Sequence, residues 1–253
     1  MRTIAFDIET GPDRSKIDTL PTPKAPGNYR DPDKIADFIR NAQDEQIGKM
    51  ALDPTFGQIV CATFVCADPG NKGSFLQHTL FRTQGLKADD PRDDSDSTLV
   101  HAIFDNMMMA DQLVTFNGVG FDFPFIVRRA MINHRPVPSI MLDFLRQPFA
   151  AIHPSSFHND TMMTLHALEV GGLRSSSPVK ASRSLHYYAE HLLGITPLED
   201  PEHEDKTLIA KLFDAGELDK IEQVCTWDAT ATLQLHQLLK TYFPSEGGTT
   251  DAR

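Results

Sequence analysis

The hydrophobic pattern divides the chain into a strand-rich first half and a helical second half. Segments 57–68 and 73–82 are rich in β-branched and aromatic residues, and a Pro-Gly-Asn turn separates them. Together with the short apolar run at 2–6, they predict three strands at the start of the chain. A fourth, buried strand is predicted at 111–116.

The predicted helices have recognisable ends. The helix at 31–43 has Asp31 as its N-cap and Pro32 at its first position. From residue 139 onward the pattern predicts almost only helices, and the last of them, 216–243, is long enough to be kinked or split. Further helices are predicted from the runs STLVHAIFDNMMM, FDFPFIVRRAMIN, NDTMMTLHALEV and SRSLHYYAEHLLG, which ends on Gly194.

This order of elements predicts a single α/β domain. Strands followed by helices give a sheet with helices packed over it, and no segment is long enough to separate two domains. We expect the domain to span 1–243 and the polar tail 244–253 to be disordered. With 253 residues and 40% hydrophobic content, the chain can bury a sizeable core.

The composition argues against several classes of protein. No apolar run approaches the ~20 residues that a membrane span needs, and no basic and apolar leader opens the chain. The three cysteines form no CxxC pair, which argues against a disulfide framework and against a zinc knuckle. We therefore expect a soluble, cytoplasmic protein without membrane contact.

The formal net charge of −11 argues against a protein that coats nucleic acid through a basic surface. Much of the negative charge is local, in 87–97 and 199–206, which we interpret as solvated loops. Segments 128–135 and 171–184 are basic, and we expect any strip that binds phosphate to lie there. The charge therefore leaves room for an enzyme that acts on nucleic acid.

Two acidic residues interrupt the apolar start of the chain, in the run AFDIET. Side chains two apart on a strand point to the same face, so Asp7 and Glu9 emerge side by side. Carboxylates this close repel each other unless a cation lies between them. The pair therefore indicates either a cation site or a strand end at which two acids are hydrated.

Two further aspartates stand in unusual surroundings. Asp122 opens a helix directly after a strand and a turn, in FNGVGFDFP. Asp228 lies on a helix face that is otherwise apolar, with Val224 and Leu235 at helical offsets. An unpaired carboxylate is costly to bury, and a metal ion would offset that cost.

The order of these motifs resembles a known superfamily. The pattern DxE at 7–9, N-x-x-x-F-D at 117–122 and an aspartate in a late helix is similar to the DEDD superfamily of 3′ to 5′ exonucleases. Over roughly 4–240 the chain further resembles predicted exonucleases related to the proofreading domain of family-B DNA polymerases. The resemblance implies a ribonuclease H-like mixed sheet flanked by helices.

The resemblance also implies an activity and its cofactors. Such enzymes hydrolyse the phosphodiester bond at the 3′ end of single-stranded DNA or RNA with two divalent ions, Mg²⁺ or Mn²⁺. Because the chain shows no polymerase domain, a proofreading role would need a polymerase or repair partner. The implied residues are the catalytic metal ligands Asp7, Glu9, Asp122 and Asp228 and the substrate-binding residues Thr10, Asn117 and Phe121.

One position departs from the superfamily pattern. A tyrosine four residues before the last aspartate, or a histidine five before it, normally orients the attacking water, whereas this chain has Val224 and Gln223 there. Gln223 is predicted to orient the water, as a glutamine does in some GTPases. The alternatives are a catalytically weakened module that binds nucleic-acid ends or nucleotides, and an interaction protein that retains the fold for scaffolding.

Other polar and aromatic residues have structural interpretations. The run HYYAEH has one residue too many for a zinc-protease signature, so we predict no metal there. Tyr187 and Tyr188 are interpreted as core or groove aromatics, one of which could replace the missing tyrosine. We interpret His153 and His158 as solvated loop residues and Asp160 as a helix N-cap.

Overall fold

A computed structural model describes residues 2–68, 70–71, 73–81, 95–146, 152, 157–168, 184–196 and 208–243. Its centre is one five-stranded sheet. The strands are β1 (Thr3–Pro12), β2 (Gly57–Ala67), β3 (Phe75–Phe81), β4 (Gln112–Thr115) and β5 (His158–Asp160). β2, β3 and β4 lie where the hydrophobic pattern predicts strands, whereas β1 extends beyond the predicted 2–6 to Pro12.

β1 lies in the middle of the sheet and determines its topology. It pairs antiparallel with β2 and parallel with β4, and the strand order is β3-β2-β1-β4-β5. β5 pairs parallel with β4. This order and these directions are those of a ribonuclease H-like sheet, so the predicted α/β fold class is confirmed. The carboxyl ends of β1, β4 and β5 meet at one edge of the sheet, which is where open α/β sheets bind ligands.

β5 corrects the prediction that the second half of the chain is almost wholly helical. Its residues His158, Asn159 and Asp160 are all polar and all buried. They have hydrogen-bonding partners: His158 Nε2 lies 2.9 Å from Thr115 Oγ1, and Asn159 Oδ1 lies 3.0 Å from His236 Nδ1. Polar side chains can be buried in a strand when such partners satisfy them.

Helices lie on both faces of the sheet. They are α1 (Pro32–Lys49), α2 (Ser95–Met107), α3 (Asp122–Ile132), α4 (Ser139–Arg146), α5 (Thr161–Leu168), α6 (Leu185–Tyr188), α7 (Leu208–Ala215) and α8 (Leu218–Tyr242). Short 3₁₀ turns cover Arg14–Thr19 and Met50–Leu52, and a π-helical turn, Ala189–Leu193, follows α6.

Several predicted helix ends are confirmed. α1 begins after Asp31, whose carboxylate accepts a hydrogen bond from the Asp33 amide, and Pro32 is its first residue. The π-helical turn ends at Gly194, which has a positive φ of 68°. The last predicted helix is not split, because α8 runs for 25 residues.

Alternating side chains of β1 pack against different helices. Phe6 points to the face covered by α2 and α3 and is fully buried there. Ala5 points to the opposite face and packs against Leu233 of α8. Because side chains alternate along a strand, Asp7 and Glu9 share the face of Ala5, and β1 presents them to α8.

Some predicted segments lie outside the described residues. These are the tail 244–253, the acidic segment 199–206, and most of 87–97 and 171–184. The single domain over 1–243 stays a prediction. Within the part of the chain that the structure describes, no helix is both long and apolar enough to cross a membrane.

Candidate active site

Asp7 and Glu9 lie side by side on β1, as strand periodicity predicts. In the pairing with β2, Asp7 is opposite Thr63 and Glu9 is opposite Cys61, and the register shifts directly after Glu9. The ligand atoms of Asp7, Glu9 and Cys225 all lie within 4.8 Å of one another. β1 and α8 therefore bring two carboxylates and a thiol to one point.

α8 contributes Cys225 and Asp228, three residues apart and hence on one side of the helix. Cys225 is completely buried, and its Sγ lies 3.5 Å from Asp7 Oδ2. Burial raises the pKa of the Cys225 thiol well above its ordinary value. The thiol therefore stays protonated and donates a hydrogen bond to the Asp7 carboxylate.

Asp122 reaches the site from the first turn of α3. The chain between β4 and α3 makes a tight turn in which Asn117 has a positive φ of 65°. A Cβ on Gly120 would lie 2.4 Å from Asn117 Oδ1, so a larger residue there would displace the Asn117 side chain. Asp122 follows directly and is only 2% exposed.

Asp160 fixes this turn from the end of β5. Its carboxylate accepts hydrogen bonds from the backbone amides of Asn117 and Val119, at 3.0 and 3.1 Å. It also accepts one from the Met163 amide at 3.3 Å, so it caps α5 as predicted. The contact with the turn before Asp122 is a further role that sequence reasoning missed.

The electrostatics show that four carboxylates converge. Burial raises the pKa of Asp7 and of Glu9 well above ordinary values, and repulsion by Asp228 and then Asp122 raises the pKa of Asp7 further. Burial also raises the pKa of Asp122 to about 7, with repulsion by Asp160 adding to it. The structure therefore gathers Asp7, Glu9, Asp122 and Asp228, which come from three separate parts of the chain.

The donor atoms of this cluster fit a divalent cation. Oδ1 of Asp122 and Oδ1 of Asp228 are buried and have no hydrogen-bond partner within the described residues. Leaving such an oxygen unsatisfied costs free energy, and a cation would remove that cost. Clustered carboxylate oxygens are the ligands that Mg²⁺ and Mn²⁺ prefer.

His186 of α6 also lies beside the cluster. Its Nε2 is 3.8 Å from Asp228 Oδ1, and its ring meets the Trp227 ring edge to face, with centroids 4.8 Å apart. No pattern in the sequence distinguished His186 from the adjacent tyrosines. The structure places Tyr187 in a stack on His191 and packs the buried Tyr188 against Phe116.

Other predicted site residues have different surroundings. The buried Thr10 hydroxyl donates a hydrogen bond to the Ala51 carbonyl at 2.7 Å. Phe121 packs on Phe125, with ring centroids 5.6 Å apart. Gln223 is exposed and lines a depression of about 560 Å³ that includes Trp227 but none of the four carboxylates. The roles of these residues towards substrate or water stay predictions.

The interpretation of His158 as a solvated residue was wrong. His158 is 3% exposed, and its ring meets the Phe123 ring at a centroid distance of 4.6 Å. Burial lowers its pKa to about 3, so it is neutral. His153 lies outside the described residues.

A family model matches the middle of the chain. Residues 52–142 match the family described as "Predicted 3'-5' exonuclease related to the exonuclease domain of PolB". The matched segment contains Asn117 and Asp122. It confirms the resemblance to PolB-related exonucleases over this part of the chain. No curated protein matches the chain.

Among solved structures, the chain is similar to the family B DNA polymerase from the hyperthermophilic archaeon Pyrobaculum calidifontis. The two share 16% sequence identity, and the TM-score is 0.49 over 94% of this chain and 24% of the polymerase. The chain therefore spans about a quarter of the length of that polymerase.

Proposed function

We propose that the chain is a metal-dependent 3′ to 5′ exonuclease that hydrolyses phosphodiester bonds at the 3′ end of single-stranded DNA or RNA. One observation carries the proposal: Asp122 and Asp228 each hold a buried oxygen without a hydrogen-bond partner within the described residues, and both repel the Asp7 carboxylate. Such a concentration of anionic oxygens favours a site for more than one cation. The family match over 52–142 supports the same function.

The four carboxylates are assigned to two cations, Mg²⁺ or Mn²⁺. Asp7 would contribute to both positions, Glu9 and Asp228 would complete the position on the side of the attacking water, and Asp122 would hold the other. Two divalent cations bound in this way stabilise the charge that develops on the attacking and leaving oxygens. The protein's part is to hold the carboxylates on β1, the central strand of the sheet, and on α3 and α8, which pack against the sheet.

The raised pKa values describe the protonation of the carboxyl groups when no cation is bound. Burial and mutual repulsion make the carboxyl groups of Asp7, Glu9 and Asp122 retain protons at higher pH than ordinary carboxyl groups. Ligand groups must lose their protons before they bind a metal. Cation binding is therefore expected to release protons and to strengthen as the pH rises.

The proposed substrate is an unpaired 3′ end. The turn that holds Asn117 and Phe121 borders the carboxylates, and we assign both residues, with Thr10, to the terminal nucleotide. Because the Thr10 hydroxyl already donates to Ala51, Thr10 would contact the nucleotide through its other atoms. A proofreading role would require a polymerase as a partner.

A second candidate is a module that binds nucleic-acid ends without cleaving them. Val224 favours it, because an apolar side chain at this position cannot form a hydrogen bond with water. Such a module would bind Mn²⁺ and a single strand but would release no nucleotide.

The test is nucleotide release from 5′-labelled single strands of DNA and RNA in the presence of Mn²⁺. The wild type should shorten a linear strand stepwise, and a 3′-phosphate or a circular strand should resist. Asp7→Asn should abolish shortening, whereas Asp105→Asn is the matched control, since the Asp105 side chain is 67% exposed on α2.

Three results would contradict the proposal. An Asp7→Asn protein that shortens the strand at the wild-type rate would show that the reaction does not need the Asp7 carboxylate. Cleavage of circles as fast as of linear strands would indicate an endonuclease. A folded wild type that binds Mn²⁺ but releases no nucleotide from either strand would favour the binding module.

A further inference from the structure

His186 lies close to Asp228, the aspartate that follows Val224 by one helical turn. Val224 is one helical turn before Asp228, so its side chain lies on the same side of α8, but it cannot form a hydrogen bond. His186 Nε2 lies 3.8 Å from Asp228 Oδ1. We propose that His186, in place of the exposed Gln223, orients the attacking water by a hydrogen bond from its imidazole, an inference that rests on the proposed exonuclease function.

The distance between the two atoms supports this role. At 3.8 Å, Nε2 and Oδ1 are too far apart for a good hydrogen bond to each other. A third atom can lie within ordinary hydrogen-bonding distance of both. Asp228 Oδ1 has no hydrogen-bond partner within the described residues. A water molecule beside Asp228 would therefore lie within reach of the imidazole.

The histidine is held where it is by its neighbours. Ser184 caps α6, because its Oγ accepts a hydrogen bond from the Tyr187 amide at 3.2 Å. This fixes the first turn of α6, on which His186 lies. The ring then rests edge to face against Trp227, the residue next to Asp228. Trp227 thus links the position of the imidazole to that of the Asp228 carboxylate.

The chemical step needs orientation of the water and nothing else from His186. The water oxygen forms a bond to phosphorus while the bond between phosphorus and the leaving 3′ oxygen breaks. The water loses a proton to solvent and the leaving oxygen takes one up, so the products are a nucleoside 5′-monophosphate and a strand shortened by one. The imidazole aims the water along this path.

Two variants separate the hydrogen bond from packing. His186→Phe keeps a ring against Trp227 but removes both ring nitrogens, and His186→Gln keeps a hydrogen-bonding group. We expect His186→Phe to lower the rate of nucleotide release by about 10²-fold, the effect of a misplaced reacting group. His186→Gln should retain more activity than His186→Phe, and both should melt near the wild-type temperature.

Mn²⁺ affinity, measured by calorimetry, distinguishes this role from one exerted through the metal ligands. Loss of a residue that only positions a metal ligand typically weakens metal binding by about 10- to 100-fold. We expect His186→Phe to bind Mn²⁺ as the wild type does. A parallel loss of affinity and rate, with the rate restored by more Mn²⁺, would overturn the inference and make His186 a positioning residue for Asp228.

Chemical labelling of the wild type tests the same inference without a substitution. Diethyl pyrocarbonate should modify His186 more slowly when Mn²⁺ and a single strand with 3′-terminal phosphorothioate linkages are bound. His101, whose side chain is 71% exposed on α2, is the internal control. Unchanged labelling of His186, or a wild-type rate in folded His186→Phe, would overturn the inference and leave the proposed function standing. A folded wild-type protein that releases no nucleotide from DNA or RNA would contradict both the inference about His186 and the proposed function.

Discussion

The carboxylate of Asp160 accepts a hydrogen bond from the backbone amide of Asn117, with 3.0 Å between Oδ1 and the amide nitrogen. The bond joins the end of β5 to the turn between β4 and α3, and Asp122 follows this turn directly. A second bond, from the Val119 amide to the other carboxylate oxygen, makes the contact bidentate. The position of Asp122 in the candidate site thus depends on Asp160, whose carboxylate is bonded to backbone amides of the turn.

Asp160→Ala should therefore lower the free energy of unfolding by about 1–3 kcal/mol, because it leaves buried amides without an acceptor. It should also weaken Mn²⁺ binding through the displaced Asp122. Asp160→Asn, which keeps one acceptor oxygen, is the control and should lose less of both. Urea unfolding and calorimetry measure the two effects. A fully stable Asp160→Ala protein would show that the turn holds its shape without this carboxylate.

Gly118→Ala should disturb the same turn from inside. A Cβ at Gly118 would lie 2.3 Å from Thr115 Oγ1, and Thr115 is itself buried against His158. Overpacking of this kind costs about 1–3 kcal/mol. Gly27→Ala, where a Cβ would meet nothing within 4 Å, should leave the unfolding midpoint in urea nearly unchanged. Equal midpoints for both variants would show that a Cβ at position 118 does not crowd the Thr115 side chain.

The free energy of unfolding of the cation-free protein should fall as the pH rises. Burial raises the pKa of Asp122 from its ordinary value of 3.8 to about 7. A carboxyl group whose pKa is raised by folding contributes stability that is complete below the unfolded pKa and is lost as the pH rises through the folded pKa. In EDTA, the contribution of Asp122 should therefore make the Tm lower at about pH 8 than at about pH 5.

Asp122→Asn isolates this contribution, because asparagine does not titrate. Burial lowers the pKa of His158 to about 3 and that of His236 to about 4, so their titration changes the stability only at low pH. Both histidines are present in both proteins, so their effect cancels in the difference. The Tm of the variant minus that of the wild type should therefore grow as the pH rises. Mn²⁺ should raise the Tm of the wild type more than that of the variant. A difference in Tm that is constant with pH would contradict the raised pKa.

Cys225→Ala should weaken Mn²⁺ binding by about tenfold. Removing a hydrogen-bond partner of a metal ligand typically weakens metal binding by about 10- to 100-fold. The lower value is expected here because a thiol is a weak donor. The thiol donates to Asp7 Oδ2 and so orients that carboxylate. Cys225→Ser keeps a donor at the same place and should bind Mn²⁺ more tightly than Cys225→Ala. Calorimetry that finds equal affinity for all three proteins would show that the thiol does not orient Asp7.

The parts of this structure that follow from local geometry could be predicted from the sequence. Asp7 and Glu9 share a face because side chains alternate along any strand. Asp228 stood out because helical periodicity alone places it on an apolar face. The cap of α1 at Asp31 likewise depends only on neighbouring residues.

The remaining parts depend on contacts between distant residues. β5 has no apolar residue, so no hydrophobic alternation marks it, and its polar side chains bond to distant residues such as His236 as well as to the first turn of α5. The bond from Asn117 to Asp160 joins residues 43 apart in the sequence. The approach of His186 to Asp228 depends on how α6 packs against α8. Such pairings cannot be found from periodicity.

The central claim is that Asp7, Glu9, Asp122 and Asp228 hold two divalent cations. Anomalous diffraction from a crystal soaked in Mn²⁺, at a pH above the raised pKa of Asp122, tests it most directly. The account predicts two Mn²⁺ peaks, with Asp7 contacting both, Glu9 and Asp228 contacting one, and Asp122 contacting the other. An Asp228→Asn crystal should lose or weaken the first peak. A single peak, or none among these four residues, would contradict the claim.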